Sequence, residues 1–371
     1  MKKQLSSLAA TFALLGTAVL LAGCQTRCHP AKSDFSFFQG QKDFSSYSRS
    51  TNADGSIVLL SPAIQSRMPW NELIVSWNAA APAGTYLKIE AAAVFHDHQS
   101  KFYTMGLWSP DNQVFPRTSV RGQKDDDGKV DTDTLTVAEP AEAAQIRVTL
   151  GGSNSALPVL KFLGTAFANT HMPVAVRPPN HAAWGKIIAT PEHTQHGYPN
   201  AKGWCSPTSL SMALSRWADV LDRPEMNLTV PEVAAKVYDT DFAGTGNWPF
   251  NTAFAGSFSG MRSYVTRLDD LSEVEDWIAA GIPVILSARW DWLRPGRPLD
   301  SDGHLIVCIG FTKDGDVVIN DPAAHLDKGD SVRQVYRRAD VIHSWTKSHN
   351  TVYLIYPEQA KIPRNGYGHW E

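Results

Sequence analysis

Gly203-Trp204-Cys205-Ser206-Pro207-Thr208-Ser209-Leu210-Ser211-Met212-Ala213-Leu214 places a cysteine at the head of an amphipathic segment. The pattern predicts a helix from Cys205 to Leu221, with Pro207 in its first turn, where a missing N–H costs little. A thiol at a helix N-terminus meets the positive end of the helix dipole, which favours the thiolate. A thiolate is a nucleophile and needs a base. About a hundred residues on, Asp302-Gly303-His304-Leu305-Ile306-Val307-Cys308-Ile309-Gly310 reads as a strand opened by a histidine. Lys313-Asp314-Gly315-Asp316 follows with an Asp-Gly hairpin signal, and the returning strand ends at Asn320-Asp321-Pro322-Ala323. Such a hairpin brings His304 and Asp321 to the same open end of a sheet. Asp321 then accepts a hydrogen bond from the imidazole and fixes its tautomer, and the other ring nitrogen faces Cys205. Singly, His304 reads as a strand-end histidine and Asp321-Pro322 as a turn. With Cys205 upstream, the three together point to catalysis.

Trp204-Cys205-Ser206-Pro207-Thr208-Ser209, Gly303-His304-Leu305-Ile306-Val307 and Asn320-Asp321-Pro322-Ala323 together resemble the peptidase C39-like family of papain-like cysteine peptidases. The resemblance runs from about Pro191 to Tyr356. It implies a nucleophile at Cys205, a base at His304 and an orienting acid at Asp321. Family members carry a glutamine upstream of the cysteine whose amide helps form the oxyanion hole. Gln195, in His193-Thr194-Gln195-His196-Gly197-Tyr198-Pro199, is the match, at a wider spacing than in the bacteriocin-leader peptidases. Two donors aimed at the developing oxyanion are what acyl transfer requires. The chain has no Walker motif and no transmembrane bundle, so a double-glycine leader substrate is not implied. Three functions remain open: peptide or amide hydrolysis in the cell envelope, a catalytically silent papain-like binding protein, and transfer of the acyl group to an amine, as in transglutaminase-like enzymes. The same residues serve hydrolysis and transfer.

The chain of 371 residues suggests two domains. From about Phe35 to Phe167 the pattern is β. Short runs such as Ser56–Leu60, Glu72–Trp77, Tyr86–Glu90 and Gln145–Leu150 are separated by turn clusters, and the last two alternate cleanly. Residues 35–168 therefore read as an all-β sandwich of jelly-roll type. Pro173, Pro178 and Pro179 mark a linker over 169–185. Residues 186–371 mix helix and strand. Helices are expected at Cys205–Leu221, at Pro231–Tyr238 with Thr229 as cap, and at Leu271–Ala280 ended by Gly281. Strands are expected at Pro283–Ser287, His304–Phe311, Val317–Asn320 and Val352–Tyr356. The fold class is α+β: a papain-like peptidase domain preceded by the sandwich.

Lys2 and Lys3 precede an apolar run from Leu8 to Leu21, too short for a stable membrane span. Leu21-Ala22-Gly23-Cys24 resembles the lipobox of bacterial lipoproteins. The resemblance implies a signal over 1–23, a lipidated Cys24 and a tether over 24–34. Gln25 follows, with no aspartate to suggest inner-membrane retention, so the outer membrane is the favoured address in a two-membrane cell. Cys28 sits in the leader, and Cys308 reads as a small buried hydrophobe. No cysteine framework suggests a disulfide. Net charge is −3, and no basic run, phosphate loop or zinc-finger spacing points to nucleic acid.

No cofactor and no metal is expected. His193 and His196 with His304 make only a weak metal set. Asp125-Asp126-Asp127-Gly128, followed by Asp131 and Asp133, resembles a calcium loop loosely. Lys129 stands where such a loop wants an oxygen ligand, so a solvated hairpin tip is the better reading. Trp290-Asp291-Trp292 reads equally as groove wall and as core. The expected partners are an envelope peptide or protein substrate, the membrane through the lipid, and a glycan or protein held by the β-domain.

Overall fold

A computed structural model describes residues 33–153, 156–199, 201–294 and 303–371. Cys24, Cys28 and Asp302 lie outside them. In the first half, strands occupy Ser36–Gln41 (β1), Ser48–Thr51 (β2), Ile57–Leu60 (β3), Ile64–Ala80 (β4), Thr85–Val94 (β5), Tyr103–Trp108 (β6), Gly128–Asp131 (β7), Thr134–Gly152 (β8) and Val159–Ala168 (β9). They pair antiparallel in one branched network, with β8 bonded to β3, β4, β5 and β7. The expected short runs are parts of longer strands. Gln145–Leu150 is the alternating end of β8, burying Ile146, Val148 and Leu150 while its intervening residues are half exposed. Between Gln65 and Glu72 the pairing of β4 with β8 shifts register twice; such irregularities bend a strand. The pairing establishes an antiparallel β-domain and does not by itself define a jelly roll.

In the second half, helices span Cys205–Leu221 (α1), Val230–Val237 (α2), Trp248–Ala255 (α3), Leu271–Ala279 (α4), Trp290–Leu293 (α5) and Arg338–Thr346 (α6). Thr229 and Glu232 form a capping box on α2, which leaves fewer orphan N–H groups at its start. Strands Met261–Arg267 (β10), Val284–Arg289 (β11), Gly303–Phe311 (β12), Val317–Asn320 (β13), Arg333–Tyr336 (β14) and Thr351–Pro357 (β15) form one antiparallel sheet in the order β10-β15-β11-β12-β13-β14. Every helix and strand expected of this half is present, and α3, α5, α6, β10 and β14 add to them.

The two halves share a packed boundary. Phe250 and Ala253 of α3 belong to the apolar core of the β-domain, and Phe250 meets Trp77 edge-on at 6.1 Å. Asn78 of β4 takes Ser263 N–H and donates to Ser263 O of β10 at 3.2 and 2.7 Å. A Cβ at Gly256 would fall 2.0 Å from Asn78 Nδ2, so only glycine lets α3 end this close to β4. Buried Arg117 donates to Ser109 O, Tyr238 O and Ala235 O, crossing the same boundary. The Pro-rich stretch 169–185 is itself anchored. Asn180 N–H bonds Glu275, its amide bonds Asp276, and Arg177 pairs with Asp269 and Glu273.

Candidate active site

Cys205 is the first residue of α1. The N–H groups of a helix's first turn have no intrahelical acceptor, so the backbone beside the thiol is free to donate outward. Small hydroxyl residues fix this end of the helix. Ser206 Oγ bonds Tyr353 Oη of β15 at 3.0 Å, and Ser209 Oγ donates to Leu305 O of β12 at 2.9 Å. Trp217 Nε1 donates to Ile355 O at 2.9 Å further along. The sequence showed the small residues around Cys205 but not that they peg α1 to the two strands flanking β11.

His304 begins β12, and Asp321 directly follows β13. Val307 pairs with Asn320, which sets the carboxylate beside the first residues of β12. His304 Nε2 lies 2.8 Å from Asp321 Oδ1, with both side chains fully buried. Among the described residues, Nδ1 has no conventional hydrogen-bond partner. It is therefore the nitrogen available to Cys205, whose sulfur adds to the charge-stabilising surroundings of the ring. Burial opposes charge on His304, but the adjacent Asp321 carboxylate outweighs it and raises the imidazolium pKa to about 9. For Asp321 burial also works against the charge, and His304 overcomes it, leaving the carboxyl at about 2.

Two further residues hold the acid. Tyr336 Oη donates to Asp321 Oδ2 at 2.5 Å, and Arg294 stands 3.6 Å from the same oxygen while donating to Tyr336 Oη at 2.6 Å. Ala323 N–H donates to Oδ1 at 2.9 Å. Neither Tyr336 nor Arg294 was singled out from the sequence. The available signal was Tyr336 itself, an apolar-bodied residue in the charged run from Arg333 to Arg338. Trp290 packs edge-on against the imidazole, centroids 4.8 Å apart, while Trp292 is exposed beside His343. Of the two, the first serves the site.

Gln195 is buried next to the acid's turn, its N–H donating to Pro322 O at 2.9 Å. Its Oε1 has no partner among the described residues. Asn320 Nδ2 is engaged by the carbonyls of Thr190 and Pro191, so it does not serve His304. Cys308 is fully buried, and burial pushes its thiol up to about 12, which leaves it inert.

The three histidines are not gathered. His193 Nδ1 bonds Ser211 Oγ at 2.8 Å, and His196 stacks on His325 at 3.6 Å. Among the described residues, Asp269, Glu273 and His369 bring ligand-type atoms within 4.8 Å of one another. Arg177 already pairs with both carboxylates, at 2.5 and 3.1 Å, so the group serves as a buried polar knot. Asp125 is taken up by Lys101 and Tyr103. Asp133 departs from the solvated hairpin expected of it. It is buried, and its Oδ2 accepts the N–H of Trp248, the first residue of α3, at 2.7 Å. Burial pushes this carboxyl up to about 7.

Cys205 opens onto a cavity of about 1150 Å³. One wall is the end of the loop before α1, from Lys202 to Trp204. Another is the Tyr238–Gly246 loop with Arg289, Lys347 and His349. The third comes from the β-domain, where the β7–β8 hairpin contributes Lys129 and residues 131–134. The arrangement is a thiol that lines a large cleft and a buried imidazole–carboxylate pair. It is equipped to attack an acyl carbon.

Residues 187–353 match the family model described as Peptidase_C39 like family, and residues 42–168 match that of the Peptidase C39 N-terminal domain. A solved structure from Bacillus anthracis, a candidate C39-like peptidase, aligns with 47% of this chain and 99% of its own, at 15% identity and a TM-score of 0.36. Likeness at that level bears on neither fold nor chemistry. No curated protein matches the chain.

Proposed function

We propose that this chain, whose residues 187–353 belong to the peptidase C39-like family, is a cysteine peptidase acting through Cys205, His304 and Asp321. The observation that carries this reading is the buried His304–Asp321 pair, with the second ring nitrogen left to the thiol at the head of α1. The thiol proton passes to His304, giving a thiolate–imidazolium pair. Cys205 Sγ attacks the scissile carbonyl carbon, and the carbonyl oxygen takes the negative charge. The Cys205 N–H and the Gln195 amide stabilise that oxygen. The C–N bond breaks, and His304 gives its proton to the leaving amine. Water, deprotonated by His304, then attacks the thioester; the acid leaves and the thiol is restored. An amine in place of water would give acyl transfer.

The test is turnover of a peptide mixture followed by mass spectrometry, wild type against Cys205→Ala. Thiol-dependent cleavage that disappears in Cys205→Ala is expected. An intact mixture, together with a Cys205 that no thiol electrophile labels, would leave a binding protein as the better account.

The same reading anchors the protein at an envelope membrane through diacylglycerol on Cys24, with the β-domain holding a glycan or protein partner. It rests on Leu21-Ala22-Gly23-Cys24. Mass spectrometry of the mature N-terminus is expected to find a lipid-modified Cys24. An unmodified N-terminus at another residue removes the anchor.

A further inference from the structure

The chain as a whole is acidic, with a net charge of −3, yet the cleft at Cys205 has the opposite sign. Five cations line it among the described residues: Lys129, Lys202, Arg267, Arg289 and Lys347. Three carboxyl groups face them: Glu72, Asp131 and Asp133. Glu72 is spent on Arg267, at 2.5 Å. Asp133 is buried under Trp248 N–H and carries only part of a charge near neutral pH. Arg289 has Asp291 at 3.6 Å, and Lys202 is engaged by a partner of its own, which leaves Lys129 and Lys347 facing Asp131. Lys129 and Lys347 are both exposed and make no ion pair among the described residues. They come from different walls, Lys129 from the β-domain hairpin and Lys347 from the end of α6, where it also lies 5.0 Å from the Trp292 ring.

We infer that the cleft selects acidic peptides, with Lys129 and Lys347 as charge-selecting residues on two of its walls. The inference rests on the cysteine-peptidase reading above. A concave site lined by one sign of charge between low-dielectric walls focuses its field and raises the local concentration of oppositely charged ligand. Neither lysine touches the reacting atoms. Their contribution is to binding and approach, and it weakens with salt.

The thiol itself reports the field without any need to know the natural peptide. The full-length protein is treated with two methanethiosulfonates of similar size, one bearing a sulfonate and one a trimethylammonium, and modification of Cys205 is followed by mass spectrometry. Normalised to a free cysteine derivative, the anionic reagent should react faster by about tenfold at low salt. Lys129→Glu with Lys347→Glu should abolish that preference, and Lys129→Gln with Lys347→Gln should reduce it, as should 0.5 M salt, which shortens the Debye length to about 4 Å. The imidazolium of His304 is the same in every variant, so its pull cancels in the comparison. Quenched-fluorescent peptides rich in glutamate should show a lower KM than lysine-rich ones, and the double reversal should invert the order. Equal or faster labelling by the cationic reagent overturns the inference and leaves the peptidase reading standing. A preference that survives both lysine pairs overturns the assignment to these two residues. A Cys205 inert to both reagents removes the peptidase reading and this one with it.

Discussion

The acid of the site is the residue on which most contacts converge. Asp321 sits without solvent under His304, Tyr336 and Arg294. Asp321→Ala would leave an imidazole, a phenol and a guanidinium buried without their partner, at a cost of about 3–5 kcal/mol in stability. Asp321→Asn keeps the shape and removes the charge. Its kcat/KM should fall by roughly 10²–10⁴, and the alkaline limb of its pH profile should move well below the wild-type position near pH 9, where His304 loses its proton. Stability carries the same signature. The folded pKa of His304 lies above its ordinary 6.5, so its contribution is complete below 6.5 and is lost as pH rises through about 9. The folded pKa of Asp321 lies below its ordinary 3.8, so its contribution is complete above 3.8 and is lost as pH falls through about 2. Urea midpoints at pH 6.5 and 9.5 should differ in the wild type and converge in Asp321→Asn. The positions of Cys205, His304 and Asp321, and the contact between the last two, were legible because each sits at an element boundary with a local signature: a helix head, a strand start, an Asp-Pro turn. Tyr336 and Arg294 were not, because what makes them matter is burial against a residue 15 and 27 positions away, and local sequence carries no sign of that.

At the scale of elements, α3 joins the chemistry to the β-domain. Its first N–H groups are divided between Asn247, which takes Phe250 N–H at 3.1 Å, and Asp133 from the other half of the chain. Asp133→Ala should therefore loosen the hairpin from α3 and cost about 1 kcal/mol, as the loss of a helix-capping side chain does. Asp133→Asn keeps an acceptor for Trp248 and behaves differently. A carboxyl whose folded pKa is raised from 3.8 to about 7 binds more protons folded than unfolded, so it lowers stability as pH rises between those values. The asparagine variant should match the wild type near pH 4 and be the more stable protein at pH 8, by thermal unfolding. The helices and strands expected in the catalytic half are found within a residue or two, since capping residues, glycines and alternation are local, but α3, α5, α6, β10 and β14 were not read from the sequence. It did not yield the span of β4 and β8, whose 17 and 19 residues are held together by partners on both edges rather than by an unbroken pattern of their own.

For the molecule as a whole, the prolines near Pro178-Pro179 suggest two units that part easily, and the packing argues otherwise. A fragment beginning at Lys186 would strip Phe250 and Ala253 of their apolar surroundings, leave Arg267 without Glu72, and remove the hairpin wall of the cleft. Burying a phenylalanine is worth about 2–3 kcal/mol, and domains of this size are only 5–15 kcal/mol stable. The fragment should lack cooperative unfolding by circular dichroism and show no peptidase activity, whereas the full-length chain should melt in a single transition. A folded, active fragment would show that the boundary contributes little. The hairpin that reaches across this boundary has a further consequence. Cys205 and the hairpin that walls its cleft are encoded in different halves of the gene. Substitutions at Lys129 and positions 131–132 can therefore change what the cleft admits while Cys205, His304 and Asp321 are inherited unchanged, so on the peptidase reading ligand choice and chemistry can vary separately.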